Sequence, residues 1–408
     1  MPGDPVRLCA RVSRALALLT CCALPAFAPA QDKPADRDKD KDKKDAVRVD
    51  PYTKNEPAAL ERAGYVGYGP FTWSHDHDTR DLEKTLGGGT AMKFTETEHL
   101  KLATSLPPFP LPLDKEVRTR LQDELKRLQK RIPKVDPNTK VIDSWLRHHL
   151  FAQRCEDAYA DFVKRLALDD KALPLLGQKN KYTVLLLELS SNLERYFQKH
   201  LKVDAKNPMR WNFIEHGAMF FGTSLEQNDG ALRSDRGIHC LLVYNLVHNF
   251  VAGYRGYFYE APLWWEEGLA HWFERQIDPK FNHFGALKEN EATLTKEWEW
   301  RPKIRARVGF DVYPTFARML AWKDPTELAF ADHMMVWSRI DFLASLGEEK
   351  LGAFLVAIKG KQDQYGTPPN ADALRKLQID ALKLIYGFDP EAFDVAWKKW
   401  VLAKYPAK

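Results

Sequence analysis

The residues of this chain with the clearest capacity for chemistry fall in two short segments near its middle. Tyr244 and His248 are four positions apart in the first segment, and Glu267 and His271 are four positions apart in the second. Side chains with this spacing lie on one face of an α-helix. Imidazole nitrogens and carboxylate oxygens are common zinc ligands. The two segments therefore predict a pair of helices whose facing sides carry either a metal site or a hydrogen-bonded polar cluster.

Residues 237–275, which contain both segments, resemble the thermolysin-like zinc peptidases, the gluzincin group of the peptidase MA-like superfamily. The resemblance is strongest in residues 262–274, PLWWEEGLAHWFE. This run is similar to the family's second-helix pattern of a proline, a tryptophan, glutamate-glycine-x-alanine and an aromatic residue. Outside residues 237–275, the likeness is one of element order. A gluzincin-like fold would have a mixed, sheet-containing N-terminal lobe followed by a helical C-terminal lobe.

The resemblance also assigns roles to individual residues. Family members carry His-Glu-x-x-His on one helix and a glutamate ligand on the next. His248 matches the second histidine ligand and Glu267 matches the third ligand. Tyr244 stands in the place of the first ligand, and Asn245 stands in the place of the glutamate that activates water. His271 lies one turn beyond Glu267, where family members often place a residue that supports a ligand.

The two replacements predict that catalysis has been lost. Zinc hydrolysis needs three protein ligands, an open position for water and a group that takes the proton of that water. Asn245 has no titratable oxygen, so we name no catalytic residue and expect no bound cofactor. Because buried polar groups need partners, we expect the hydroxyl of Tyr244 or the amide of Asn245 to hydrogen-bond to Glu267 or His248. These residues would line a cleft between the two lobes.

An active zinc hydrolase with altered ligands is the main alternative. Zinc would then be bound by His248, Glu267 and His271, with Glu266 or Glu274 as the base. Gly268 would in either case allow the second helix to approach the first closely, because glycine has no side chain.

Two further hypotheses concern other segments. The indoles of Trp264-Trp265 and of the segment Glu297-Trp298-Glu299-Trp300 could bind an envelope polysaccharide, although tryptophans more often pack in cores. The segment His75-Asp76-His77-Asp78 could bind a metal ion, although a charged loop is the default interpretation.

The composition is that of a globular protein. The chain has 408 residues, of which 44% are hydrophobic and 29% are charged, and its net charge is +5. This small excess of positive charge does not predict nucleic-acid binding. The expected partner is a protein, a peptide or an envelope polymer, and the expected role is that of a non-catalytic binding or scaffolding module.

The N-terminal residues predict export. Arg7, Arg11 and Arg14 precede an apolar stretch, and Ala28-Pro29-Ala30 has the small-residue form of a cleavage site, so residues 1–30 are predicted to be a signal peptide. Residues 31–58 are predicted to be a disordered charged tether. No later segment has eighteen uninterrupted apolar residues. The mature chain is therefore predicted to be secreted or periplasmic, without a transmembrane segment.

Apolar spacing and turn residues predict an α+β fold that is predominantly helical, with a mixed lobe over residues 59–235 and a helical lobe over residues 236–408. The predicted strands are residues 93–105, 182–189 and 218–223. The predicted helices are residues 113–132, 141–166, 191–201, 238–251, 263–276, 334–346, 348–359 and 371–386, and a last one that Asp389-Pro390 caps. Ser191 and Glu194 suggest a capping box. Cys155 and Cys240 are expected to be free thiols, with a disulfide between them left open.

Overall fold

The computed structural model of the chain describes residues 49–87, 89–257, 259–284 and 298–407. The predicted signal peptide, most of the charged tether and Glu297 lie outside these residues. Within them the fold is α+β, as the sequence predicts, with one mixed six-stranded sheet.

The sheet has the strand order β1-β2-β3-β6-β8-β7, and a separate two-stranded sheet joins β4 to β5. Strands β3, β6 and β8 run parallel to one another, and the remaining pairs of the large sheet are antiparallel. The three parallel strands are buried at every position, as expected of strands covered on both faces. The strands are β1 (Tyr65–Gly67), β2 (Lys93–Thr97), β3 (Leu100–Thr104), β4 (Phe109–Pro110), β5 (Val141–Ile142), β6 (Tyr182–Leu187), β7 (Met209–Phe213) and β8 (Ala218–Ser224).

The apolar periodicity located most of the helices to within a few residues of their observed ends. The α-helices of the described ranges are α1 (Pro57–Ala63), α2 (Thr79–Leu86), α3 (Lys115–Arg131), α4 (Ser144–Arg165), α5 (Ser190–Tyr196), α6 (Asp235–Gly253), α7 (Leu263–Ile277), α8 (Trp300–Gly309), α9 (Phe316–Met319), α10 (Phe330–Ser345), α11 (Glu348–Ile358), α12 (Ala371–Tyr386) and α13 (Pro390–Lys404). A π-helical turn, Phe197–Leu201, continues α5.

Three local expectations were wrong. The single strand expected over residues 93–105 is a hairpin, with Lys93 of β2 opposite Thr104 of β3. The capping box expected of Ser191 and Glu194 is not formed, because the helix begins at Ser190 and its N-cap is Leu189, which has no side-chain acceptor. The fold also begins before Ala59: buried Asp50 accepts a hydrogen bond from the Tyr68 hydroxyl at 2.7 Å.

Two apolar cores cover the two faces of the large sheet. Side chains alternate between the faces along each strand, so Val184 and Leu186 of β6 join the larger core, whereas Leu185 and Leu187 join the smaller one. The larger core contains the buried apolar residues of α4, α6, α7 and α10. Cys155 and Cys240 are both buried and not bonded to each other. No helix among the described residues has the length and apolarity needed to span a membrane.

A buried ion pair fixes the start of α6, the helix that carries Tyr244 and His248. The guanidinium of Arg154 on α4 donates to both carboxylate oxygens of Asp235, the first residue of α6, at 2.7 and 3.1 Å. Burial raises the pKa of the Asp235 carboxyl group, whereas the adjacent positive charge of Arg154 lowers it. The net effect is a pKa below its ordinary value. The pair therefore holds the first turn of α6 in register with α4.

Replacing Arg154 with methionine should lower the free energy of unfolding by about 3–5 kcal/mol at pH 7, because the charge of Asp235 would stay buried without its partner. The pKa of Asp235 is lower in the folded chain than in the unfolded chain, so the stabilisation by the ion pair is complete above about pH 4 and is lost as the pH falls below that value. The difference in the free energy of unfolding between variant and wild type should therefore become smaller at low pH. Chemical denaturation at several pH values measures both effects.

Arg127→Met is the matched control, because Arg127 forms an exposed ion pair with Asp157 at 2.8 Å. It should change the free energy of unfolding by less than about 1 kcal/mol. Equal effects of the two substitutions would contradict the role given to the Arg154–Asp235 pair.

Candidate functional site

Helices α6 and α7 lie side by side, and their facing residues form the expected polar cluster. The Tyr244 hydroxyl donates a hydrogen bond to Oε2 of Glu267, with an oxygen–oxygen distance of 2.8 Å. Nε2 of His248 lies 3.7 Å from the other oxygen, Oε1, of the same carboxylate. All three side chains are buried. The predicted hydrogen bond between the two helices is therefore present, with Tyr244 as its donor.

Asn245 is held away from Glu267. Its amide nitrogen donates to the carbonyl oxygen of Leu241 one turn earlier, at 2.9 Å. Its amide oxygen accepts a hydrogen bond from Nη1 of Arg210, also at 2.9 Å. Both ends of the carboxamide are thus occupied, and Asn245 takes no part in the contact between the helices.

His248 is oriented by a neighbour of Glu267. Its Nδ1 lies 2.7 Å from Oε1 of Glu266, a hydrogen-bonding distance. Its Nε2, which faces Glu267, has no hydrogen-bond partner among the residues that the structure describes. Glu266 thus fixes the ring of His248.

His271 meets a histidine that the sequence did not single out for this site. Nε2 of His271 lies 3.1 Å from Nδ1 of His333 on α10, and His333 Nδ1 lies 3.4 Å from Oε2 of Glu267. His271 Nε2 is itself 3.8 Å from the same oxygen. His333 lies 62 positions after His271, and no short motif links the two. Only the packing of α10 against α7 brings them together.

Glu274 contacts the ring nitrogen of His271 that does not face His333. Oε2 of Glu274 lies 3.3 Å from Nδ1 of His271, and its other oxygen pairs with the ring of His283. Glu274 is fully buried. Its two histidine contacts leave it out of contact with solvent, so it is not placed to act on a water molecule in a cleft.

The electrostatics of the cluster favour a charged carboxylate and a neutral phenol. Burial raises the pKa of Glu267, but His248, His333 and His271 together lower it well below its usual range. Burial, followed by the negative charge of Glu267, raises the pKa of the Tyr244 hydroxyl well above its ordinary value. Burial lowers the pKa of His271 to about 4. Tyr244 is therefore a neutral phenol that donates a hydrogen bond to the carboxylate of Glu267.

Gly268 allows a close approach, but the helix that approaches is α10 and not α6 as expected. A Cβ atom at Gly268 would lie 2.8 Å from the carbonyl oxygen of Val336 and 2.7 Å from Cγ1 of Ile340. Both distances are too short for a side chain. The glycine thus lets α10 carry His333 within reach of Glu267.

One wall of a cleft of about 570 Å³ is made by the cluster. His248, Glu266, Glu267 and Arg210 line this wall, and the other walls come from the segments around Glu260, residues 319–325 and residues 371–378. Tyr244, Asn245 and His271, which were also expected to line the cleft, are not among its lining residues.

The four indoles considered as a binding surface for a polysaccharide are mostly buried. Trp264, Trp265 and Trp300 are completely buried, and only Trp298 is partly exposed, at 36%. The indole nitrogen of Trp264 donates to the side chain of Gln378 at 2.8 Å. These indoles pack in the core, as tryptophans usually do.

A second histidine group forms in the segment His75-Asp76-His77-Asp78. Ligand atoms of Asp76, His77 and His200 lie within 4.8 Å of one another. The rings of His77 and His200 are stacked with centroids 3.9 Å apart, His77 Nδ1 pairs with Asp76 at 2.6 Å, and His200 Nε2 pairs with Thr85 at 2.8 Å. Hydrogen bonds and stacking account for this group without an ion.

Tyr244, His248 and Glu267, which match the ligand positions of the gluzincin pattern, do not form a convergent set of zinc ligands. Tyr244 presents a hydroxyl proton to Glu267, where a ligand would present a lone pair. His248 faces the opposite carboxylate oxygen and is not part of the group of ligand atoms within 4.8 Å of one another, which consists of Glu267, His271 and His333. The three atoms that lie close together therefore belong to Glu267, His271 and His333, and not to the alternative ligand set of His248, Glu267 and His271.

Comparison with known proteins adds no relative. No family model matches the chain, and neither a curated protein nor a solved structure is significantly similar to it. The function has to be argued from the geometry of the cluster and the cleft.

Tyr244→Phe should lower the free energy of unfolding by about 1.5–3 kcal/mol, because it removes a buried hydrogen bond to a charged group and little else. Equilibrium denaturation of the purified chain measures this change. Tyr365→Phe makes the same chemical change at an exposed position and should have almost no effect. Equal stability of the Tyr244 variant and wild type would show that the bond contributes nothing.

Proposed function

We propose that the protein is a non-catalytic, metallopeptidase-like binding protein of the cell envelope. One observation carries this proposal: the Tyr244 hydroxyl donates to Glu267 at 2.8 Å, in the place where a gluzincin would have its first zinc ligand. The expected gluzincin-like fold is part of the same proposal. The prediction that residues 1–30 are a signal peptide supports a location outside the cytoplasm.

The loss of catalysis follows from the groups that surround this hydrogen bond. A metal-activated water needs a base within hydrogen-bond reach. Asn245 stands at that position, has no titratable oxygen, and is bound by Leu241 and Arg210. A zinc ion at this position would also lack a first ligand, because the Tyr244 oxygen is a proton donor to Glu267.

The order of elements supports descent from a peptidase fold. The sheet-containing part precedes the pair α6 and α7, and the helices α8–α13 follow the pair. A zinc peptidase of the gluzincin group would show the same order. Helices α6 and α7 still pack against each other, although two of the four residues that match the family pattern, Tyr244 and Asn245, differ from it.

The cleft is suited to a peptide. Its lining includes the cationic side chains of Arg210, Lys323 and Arg375, the carboxylates of Glu260 and Asp372, and an apolar surface from Met319, Leu320 and Trp322. A peptide strand offers backbone donors and acceptors as well as side chains of both charges. A volume of about 570 Å³ is within the range of small-ligand sites and would accommodate a few residues of a peptide.

The purified mature chain should not cleave peptides. Incubation with casein and excess zinc, followed by mass spectrometry of the products, should give the same result as incubation with a chelator. The physical reason is the missing base at Asn245. Zinc-dependent cleavage that Glu266→Gln abolishes would contradict the proposal and favour the alternative of an active hydrolase.

Peptide binding should depend on the cleft. Trp322→Ala should weaken retention of a labelled random-peptide library by about fivefold to tenfold, because it removes a large aromatic contact from one wall. Trp298→Ala is the matched control, since Trp298 is also partly exposed but does not line the cleft. Fluorescence anisotropy of the labelled peptides measures their binding to both variants and to the wild type.

Two results would contradict the cleft as the binding site. One is equal retention of the peptide library by Trp322→Ala, Trp298→Ala and wild type. The other is binding to insoluble envelope polymer that only Trp298→Ala reduces, which would favour a glycan-binding role.

A further inference from the structure

We propose that the chain has a buried zinc site formed by Glu267, His271 and His333, a ligand set that shares only Glu267 with the residues matching the gluzincin ligands. Glu267 Oε2 lies 3.8 Å from His271 Nε2 and 3.4 Å from His333 Nδ1, and the two nitrogens lie 3.1 Å apart. A triangle with these sides has its centre about 2.0 Å from each corner, which is the length of zinc–nitrogen and zinc–oxygen bonds. The three atoms thus converge on one point at bonding distance.

The ligand types agree with this metal. Two imidazoles and one carboxylate form a set that zinc uses in other proteins, and imidazole excludes the oxygen-binding ions magnesium and calcium as preferred occupants. The carboxylate oxygen has two lone pairs, so Glu267 Oε2 can accept the Tyr244 proton and still present a lone pair to the ion.

A carboxylate orients His271 in the manner that zinc ligands require. Metal-binding histidines usually donate their second ring N–H to a carboxylate or a carbonyl group, which fixes the tautomer and directs the other nitrogen at the metal. Nδ1 of His271 lies 3.3 Å from Glu274, and Glu274 is held in turn by His283. With its proton on Nδ1, His271 has its Nε2 lone pair directed at His333.

Charge balance gives an independent argument. Glu267 and Glu274 are almost completely buried, and buried charges are normally paired or bound to metals. Within the described ranges, the ion-pair partners of these two carboxylates are all histidines. A divalent cation beside Glu267 would supply a positive charge that does not depend on protonation of a histidine.

The site would be structural. Structural here means that the ion would join two helices in the interior, because the three ligand side chains are at most 1% exposed. Three protein ligands leave the fourth position of a tetrahedral zinc ion to a water molecule or another donor. The site would join α7 to α10, the helices that Gly268 brings together. The inference does not depend on whether the cleft binds a peptide.

Metal analysis of the purified mature chain tests the site. Wild-type protein prepared without chelator should contain about one zinc per chain. After the metal is removed with a chelator, zinc at a hundredfold excess over its dissociation constant should raise the Tm of the metal-free chain by about 3 °C. His333→Gln and His271→Gln should reduce the zinc content to background. The control His248→Gln, which alters a histidine beside the same carboxylate but outside the triangle, should retain zinc.

A crystal of the wild-type protein gives a test that does not depend on variants folding. An anomalous zinc peak between Glu267, His271 and His333 would establish the site. The inference would be overturned by a wild-type chain that binds no zinc in excess, or by a peak bonded to His248. It would equally be overturned if His248→Gln lost zinc while His333→Gln retained it. Peptide cleavage with zinc at this triangle would contradict only the proposed function.

Discussion

Two buried carboxylates determine how the centre of this protein is built. Glu267 and Glu274 project from one helix into a region from which water is excluded, where an uncompensated charge costs several kcal/mol. Polar groups in contact with the two carboxylates compensate their charge: Tyr244 donates to the first, and His271 and His283 flank the second. The cluster, the helix packing and the proposed metal site all follow from this requirement.

The fold meets the requirement by joining elements that are far apart in the chain. The Arg154–Asp235 pair anchors α6 against α4, so that Tyr244 faces α7. Gly268 lets α10 approach α7 at a distance that any side chain would prevent, and His333 arrives with α10. The same cluster that closes the interior also forms a wall of the cleft through Glu266 and His248. A substitution in the buried cluster would therefore also change the shape of the cleft that is proposed to bind a partner.

The sequence predicted those features whose causes are local. Gly387 ends α12 and Asp389 caps α13, as expected, because a left-handed terminal residue and a side-chain cap act within a few residues. The pairing of Tyr244 with Glu267 was predictable because two short helical patterns supplied both partners. The role of His333 was not, since it depends on helix packing across 62 positions. The capping box at Ser191 failed because the helix starts one residue earlier than expected, with Leu189 as its N-cap.

The central claim is that the Tyr244 hydroxyl has taken the place of a ligand on Glu267 and now joins α6 to α7. A double-mutant cycle with Tyr244→Phe, Glu267→Gln and the double variant, measured by equilibrium unfolding in the presence of chelator, tests it most directly. The account predicts a coupling energy of about 1.5–3 kcal/mol between the two positions. Additive effects, with a coupling energy near zero, would contradict it.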